Sequence, residues 1–90
     1  MKLFTLYIGQ NNSTLKRFKE DKINKIISKY FIGYTIQKVT GYYEGIKEES
    51  FKVEIITNND QKVDNLKAFL VGELQQESIL KTTALLDIEF

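Results

Sequence analysis

Cysteine, histidine, proline and tryptophan are all absent from this 90-residue sequence, and each absence removes a class of explanation. Without cysteine there is no disulfide framework and no thiolate metal site, and the redox compartment stays open. Stability must come from packing alone, in a chain near the lower end of the size at which one hydrophobic core suffices. Without histidine the commonest general base is gone, together with the usual zinc and copper ligand sets. No stretch approaches the ~20 consecutive apolar residues of a membrane-spanning helix, so no membrane association is expected. The opening run MKLFTLYIG breaks at Gln10, Asn11 and Asn12 before the apolar core and cleavage site of a secretion signal can form. The expected location is the cytoplasm, that of the host if the chain is phage-encoded. A charge excess is lacking too. Thirteen basic residues against 12 acidic ones leave a net charge of +1, which gives no overall field to steer a polyanion.

What is present is ordinary for a folded chain: 42% hydrophobic and 28% charged residues, far from the low hydrophobicity and high net charge of disorder. The expectation is one domain spanning residues 1–90. Arg17 is the single arginine against many lysines, and Asn, Ile, Tyr and Phe are plentiful. That composition fits an AT-rich genome, such as that of a low-GC bacterium or its phage.

The order of elements follows from apolar spacing. Lys2 to Ile8 carries aliphatic and aromatic residues on both alternating sets, as a central strand does. After Gly9 to Asn12, Ser13 or Thr14 can cap a helix with apolar residues at Leu15, Phe18, Ile23, Ile26, Ile27 and Tyr30, ended by a left-handed Gly33. Tyr34 to Tyr43 reads as a strand that turns at Glu44-Gly45 into the alternation Phe51, Val53, Ile55. Asn58-Asn59-Asp60 marks a turn and cap before Val63, Leu66, Leu70 and Leu74 at helical spacing, and Ser78 to Phe90 is β-like. Strand, helix, strand, strand, helix, strand, with right-handed crossovers, predicts an α+β ferredoxin-like plait: a four-stranded antiparallel sheet with both helices on one face.

Such plaits include RNA-binding domains, and LYIGQN (Leu6 to Asn11) is close to the first-strand signature of one. There, bases stack on aromatics from the first and third strands. Tyr7 supplies the first, but the matching third-strand positions are Ser50 and Lys52, and Glu48 stands where a basic residue belongs. Nucleic acid is therefore not the expected partner. The basic residues Lys16, Arg17, Lys19, Lys22, Lys25 and Lys29, interrupted by Glu20 and Asp21, read first as the solvated face of a helix.

Catalysis has little to rest on. Glu48 and Glu49 are adjacent, and neighbours in a strand point to opposite faces, so they do not share a proton. Gly9 with Gln10 to Thr14 lies at a strand-to-helix junction, where amides attract anions, but it lacks the P-loop lysine and the spaced glycines of a dinucleotide fingerprint. No catalytic residue, metal or cofactor is expected. A candidate ligand site is an amide- and hydroxyl-rich edge, expected to gather Tyr7, Gln10, Asn11, Asn12, Tyr34, Thr35, Asn58, Asn59, Gln76, Glu77 and Ser78. Such groups can hydrogen-bond a nucleobase or sugar, although turns and helix caps call for the same residues.

Phe31-x-Gly33-Tyr34-Thr35, Gly41-Tyr42-Tyr43, Glu49-Ser50 and Gln76-Glu77-Ser78 together resemble the pattern of a family of small uncharacterised bacterial and phage proteins. The resemblance implies the same plait and carries no assigned activity. An open sheet face leaves apolar residues in water, so a homodimer or higher oligomer is expected through Leu3, Ile56, Leu86, Ile88 and Phe90, with Tyr7, Ala84 and Leu85 nearby. The expected function is a non-catalytic binding module, a phage-encoded anti-defence protein that sequesters a small polar ligand such as a nucleotide signal. The alternatives are a protein-binding inhibitor that uses the open sheet face or the basic helix, and a weak carboxylate-dependent enzyme.

Overall fold

The computed structural model describes residues 1–9, 19–76 and 78–89. Along the chain run β1 (Lys2–Gly9), α1 (Glu20–Ile27), β2 (Thr35–Tyr43), β3 (Ile46–Thr57), α2 (Asp60–Glu73) and β4 (Leu80–Leu85). The strands form one antiparallel sheet in the order β2-β3-β1-β4, the ferredoxin-like α+β arrangement that the element order predicts.

Alternation decides which face is covered. Phe4, Leu6 and Ile8 of β1 lie beside Ile55, Val53 and Phe51 of β3. All six are buried, together with Ile23, Ile26 and Ile27 of α1 and Val63, Leu66 and Leu70 of α2. Both helices thus press their apolar stripes onto one side of the sheet. The opposite face presents Leu3, Thr5 and Tyr7 of β1 beside Ile56, Glu54 and Lys52 of β3.

Chain reversals explain where the sequence-based boundaries moved. Asn59 caps α2 by accepting a hydrogen bond from the Lys62 backbone N–H at 3.0 Å, as an Asn in that place should. Gly33 does not take the left-handed conformation expected of it. Instead α1 closes at Ser28, and Lys29 and Tyr30 donate to the carbonyls of Ile26 and Ile27, three residues back. The left-handed cap lies at the end of α2, on Gln75 (φ 54°), where Gln76 donates to Val71 O and Gln75 to Gly72 O in a Schellman closure. β4 ends at Leu85, and Leu86 to Glu89 continue outside the strand, held by the Leu86 N–H on Met1 O at 2.9 Å.

The β2–β3 hairpin turns through Glu44 (φ 50°) and Gly45 (φ 78°), a two-residue turn with the positive φ values of type I′. Glycine bears this freely, whereas a glutamate there carries a left-handed penalty of about 1–2 kcal/mol. Glu44→Asn, which builds the favoured Asn-Gly pair, should raise the unfolding free energy by about 0.5–1 kcal/mol. Urea denaturation measures this, and a lowered midpoint would mean that the Glu44 side chain contributes more than its backbone costs.

Candidate functional site

Register shows which of the expected site residues can meet. Lys2 lies opposite Thr57 and Leu85, while Tyr7 lies opposite Leu80 and Gly9 opposite Ser50. The end of β1 therefore shares an edge with the starts of β3 and β4, and its beginning shares the other edge with their ends. Thr35, opposite Glu54, places the start of β2 at that second edge. The expected single amide-rich edge is thus divided: Tyr7, Gln76 and Ser78 belong to one end of the sheet, and Tyr34, Thr35, Asn58 and Asn59 to the other. The reason is strand direction. β1 and β3 are antiparallel neighbours, so their carboxyl ends lie at opposite edges. Gln10, Asn11, Asn12 and Glu77 lie outside the described residues.

At the Tyr34 end, the open face carries a groove of about 720 Å³. Its apolar wall is Leu3 at the start of β1, Ile56 near the end of β3 and Ile88 from the segment after β4. Its polar wall is Tyr34, Thr35 and Glu54, with Met1 and Gly33 at the rim. The groove joins Tyr34, expected as a ligand residue, to Leu3, Ile56 and Ile88, expected as interface residues. Leu86 is half-buried just outside it, and Phe90 lies outside the described residues.

Each polar group has a defined support. The Tyr34 hydroxyl donates to the Asn24 side-chain oxygen of α1 and lies 3.3 Å from the Asn24 carbonyl, so the helix holds the ring against the core while the residue borders the groove. Glu54 shares a row of the open face with Thr5 and Thr35, and its carboxylate lies 3.8 Å from the Lys52 ammonium on the same face. That distance leaves the carboxylate room to accept further hydrogen bonds. Glu54 escaped the sequence reading because an isolated strand carboxylate looks like a solvated charge. The signal was its register with Phe51, Val53 and Ile55, which puts even-numbered β3 residues on the open face.

Elsewhere the face is polar. Tyr7, 38% exposed, sits beside Lys52 rather than a second aromatic, so no paired stacking platform forms there. Glu48 and Glu49 point to opposite sides as expected, and the Glu48 carboxylate lies across Gly9, where an added Cβ would come within 2.1 Å of its Oε1. Lys19, Lys22, Lys25 and Lys29 are exposed on or beside α1, while Lys16 and Arg17 lie outside the described residues. At the foot of β1, Lys2 bonds Asp60 at 2.9 Å, and this hydrogen bond holds the Asp60 carboxyl below its ordinary value of 3.8. Among the described residues no cluster of three or more potential metal ligands occurs, and no helix is long and apolar enough to cross a membrane.

No protein-family model and no curated protein matches the chain. Solved structures do. The chain is similar to a phage SAM lyase in its apo state, with a TM-score of 0.66 and 17% identity over 92% of this chain and 78% of that one. It is also similar to a DUF3240 family protein from Shewanella baltica OS155, with a TM-score of 0.63 and 16% identity over 99% and 93%. A de novo designed protein, Foldit4, shares the arrangement at a TM-score of 0.56 and 11% identity over 96% and 98%. At these identities the likeness concerns the fold. One neighbour is from a phage and one from a bacterium, the kinds of source that the resemblance noted above implies. The fold is shared by natural and designed proteins alike, so function must be argued from the site.

Proposed function

We propose that the chain is a non-catalytic, phage-type binding module that holds a small nucleoside-class ligand in the groove beside Tyr34. The observation that carries this is a single carboxylate, Glu54, among the lining of a groove whose apolar wall is Leu3, Ile56 and Ile88 and whose border includes Tyr34. Small-molecule sites have this make-up: a concavity of ≈ 300–1,000 Å³, mostly apolar, with a few placed polar groups. Leu3, Ile56 and Ile88 offer an apolar surface to a base, and Glu54 can accept from a sugar diol or attract a cationic group. A phage protein of the same fold is named for its action on SAM, a nucleoside that carries positive charge, and Glu54 suits such a ligand. The proposal stops at binding, because among the described residues the groove's lining holds one carboxylate, Glu54, and no lysine.

The test is calorimetric titration with S-adenosylmethionine and with a panel of nucleotides, the mass of the protein before and after mixing being followed by native mass spectrometry. Binding is expected to weaken about tenfold or more in Tyr34→Ala and in Glu54→Gln, as the loss of one buried contact of about 1.4 kcal/mol implies. Equal affinity in both variants would remove the groove as the site, and turnover of S-adenosylmethionine by the unmodified chain would overturn the non-catalytic reading.

A further inference from the structure

β2 is an edge strand whose one sheet neighbour among the described residues is β3. The two-residue turn makes Tyr43 and Ile46 the closing pair of the hairpin, and in such a hairpin that pair exchanges both of its backbone hydrogen bonds. Bonding direction alternates along a strand. Thr35, Gln37, Val39, Gly41 and Tyr43 therefore turn their backbone groups toward β3, whereas Ile36, Lys38, Thr40 and Tyr42 turn theirs outward. A nine-residue edge without proline is a template for another strand.

We infer that this edge pairs antiparallel with the same edge of a second copy, about a two-fold axis through Val39. Length favours this register, since Val39 is the middle residue of Thr35–Tyr43, and every outward residue then meets an outward residue. Ile36 lies against the partner's Tyr42, and Lys38 against the partner's Thr40. Packing favours it too. The Tyr42 ring, 72% exposed, gains the half-buried Ile36 of the other copy on the helix-bearing face, an aliphatic–aromatic cross-strand pair. Charge selects it over the register centred on Lys38. An axis through Lys38 would set two ammonium groups directly opposite each other, a destabilising arrangement. With the axis at Val39, each Lys38 instead lies across Thr40 from the partner's Glu49, because Thr40 and Glu49 are paired within a subunit. The product is a continuous eight-stranded sheet with all helices on one face. This interface meets the ligand groove at Thr35, the first residue of β2, whereas the groove's apolar wall stands on β1, β3 and the segment after β4.

The absence of cysteine makes the register directly testable. Val39 falls in a non-hydrogen-bonded pair, with Cα atoms about 4.5 Å apart, inside the range a disulfide spans. Val39→Cys should convert most of the chain to a linked dimer on mild oxidation, while Ile46→Cys, exposed at the hairpin tip, should lag about tenfold or more in rate. In parallel, Thr40→Pro removes an N–H that points away from β3, the one sheet neighbour of β2 among the described residues, a substitution edge strands tolerate. It should return the particle to the 10.5 kDa monomer in light scattering, with an unchanged circular dichroism spectrum. Cross-linking of Val39→Cys no faster than that of Ile46→Cys would overturn the inference. So would linkage through Ile56→Cys on the open face in its place.

Discussion

Leu6→Ala should lower the unfolding free energy by about 2–5 kcal/mol, the range for a leucine truncated inside a packed core. Leu6 has no exposed surface and stands at the middle of the central strand, opposite Val53 on one side and Lys81 on the other, under both helices. A small domain holds only about 5–15 kcal/mol in total, and this one has no disulfide to fall back on. The loss is therefore a large share of what keeps it folded. The urea midpoint should fall with little change in slope, as for a lesion that leaves the extent of unfolding alone. Leu3→Ala is the internal comparison. Leu3 is on the same strand but half-buried on the open face, and its truncation should cost about 1 kcal/mol or less. Equal losses in the two variants would mean that the sheet is covered on both sides.

That difference between Leu3 and Leu6 is also the clearest example of what the sequence made legible. β1 is apolar on both alternating sets, so periodicity alone marks it as central without saying which face the helices take. β3 resolves the question, because Phe51, Val53 and Ile55 alternate with Lys52 and Glu54 and all three are buried. α2 was readable from Val63, Leu66 and Leu70, and its start from Asn59, since these signals act within a few residues of each other. The site was less readable. Bringing Tyr34 to Leu3 and Ile56 depends on strand direction and register across three strands, which local spacing does not encode. Ile88 was recognisable as apolar, but its position over the groove follows from the course of the chain after β4. The turn at Glu44-Gly45 was legible from its glycine, but the left-handed backbone of Glu44 within it and the left-handed cap at Gln75 were not. Both are left-handed positions held by residues that seldom adopt that conformation, imposed by the turn and the helix end rather than chosen by the side chain.

Ile56→Lys should abolish ligand uptake by the groove while leaving the fold intact. Ile56 is 50% exposed on the open face and faces Leu3 across the β1–β3 pair, so a lysine there keeps its stem against the apolar wall and its ammonium in water. Exposed substitutions of this kind stay within about ±0.5 kcal/mol of the parent. Two consequences act on the groove. The longer side chain occupies space that a ligand would use. Its ammonium also arises two residues from Glu54 on the same face of β3, where it competes for the carboxylate and repels a cationic ligand. Salt separates these effects, since screening shortens the reach of charge to about 8 Å at physiological ionic strength and leaves steric blockage untouched. Ile46→Lys is the matched control: Ile46 is 69% exposed on the same strand but at the hairpin end, and the substitution should leave affinity unchanged. If Ile56→Lys binds S-adenosylmethionine and nucleotides as the parent chain does, the Tyr34 groove is not where they bind. If both lysine variants lose binding equally, the effect is general charge on β3 rather than occupancy of the groove. Loss in Ile56→Lys alone, persisting at high salt, places the ligand against Leu3, Ile56 and Ile88.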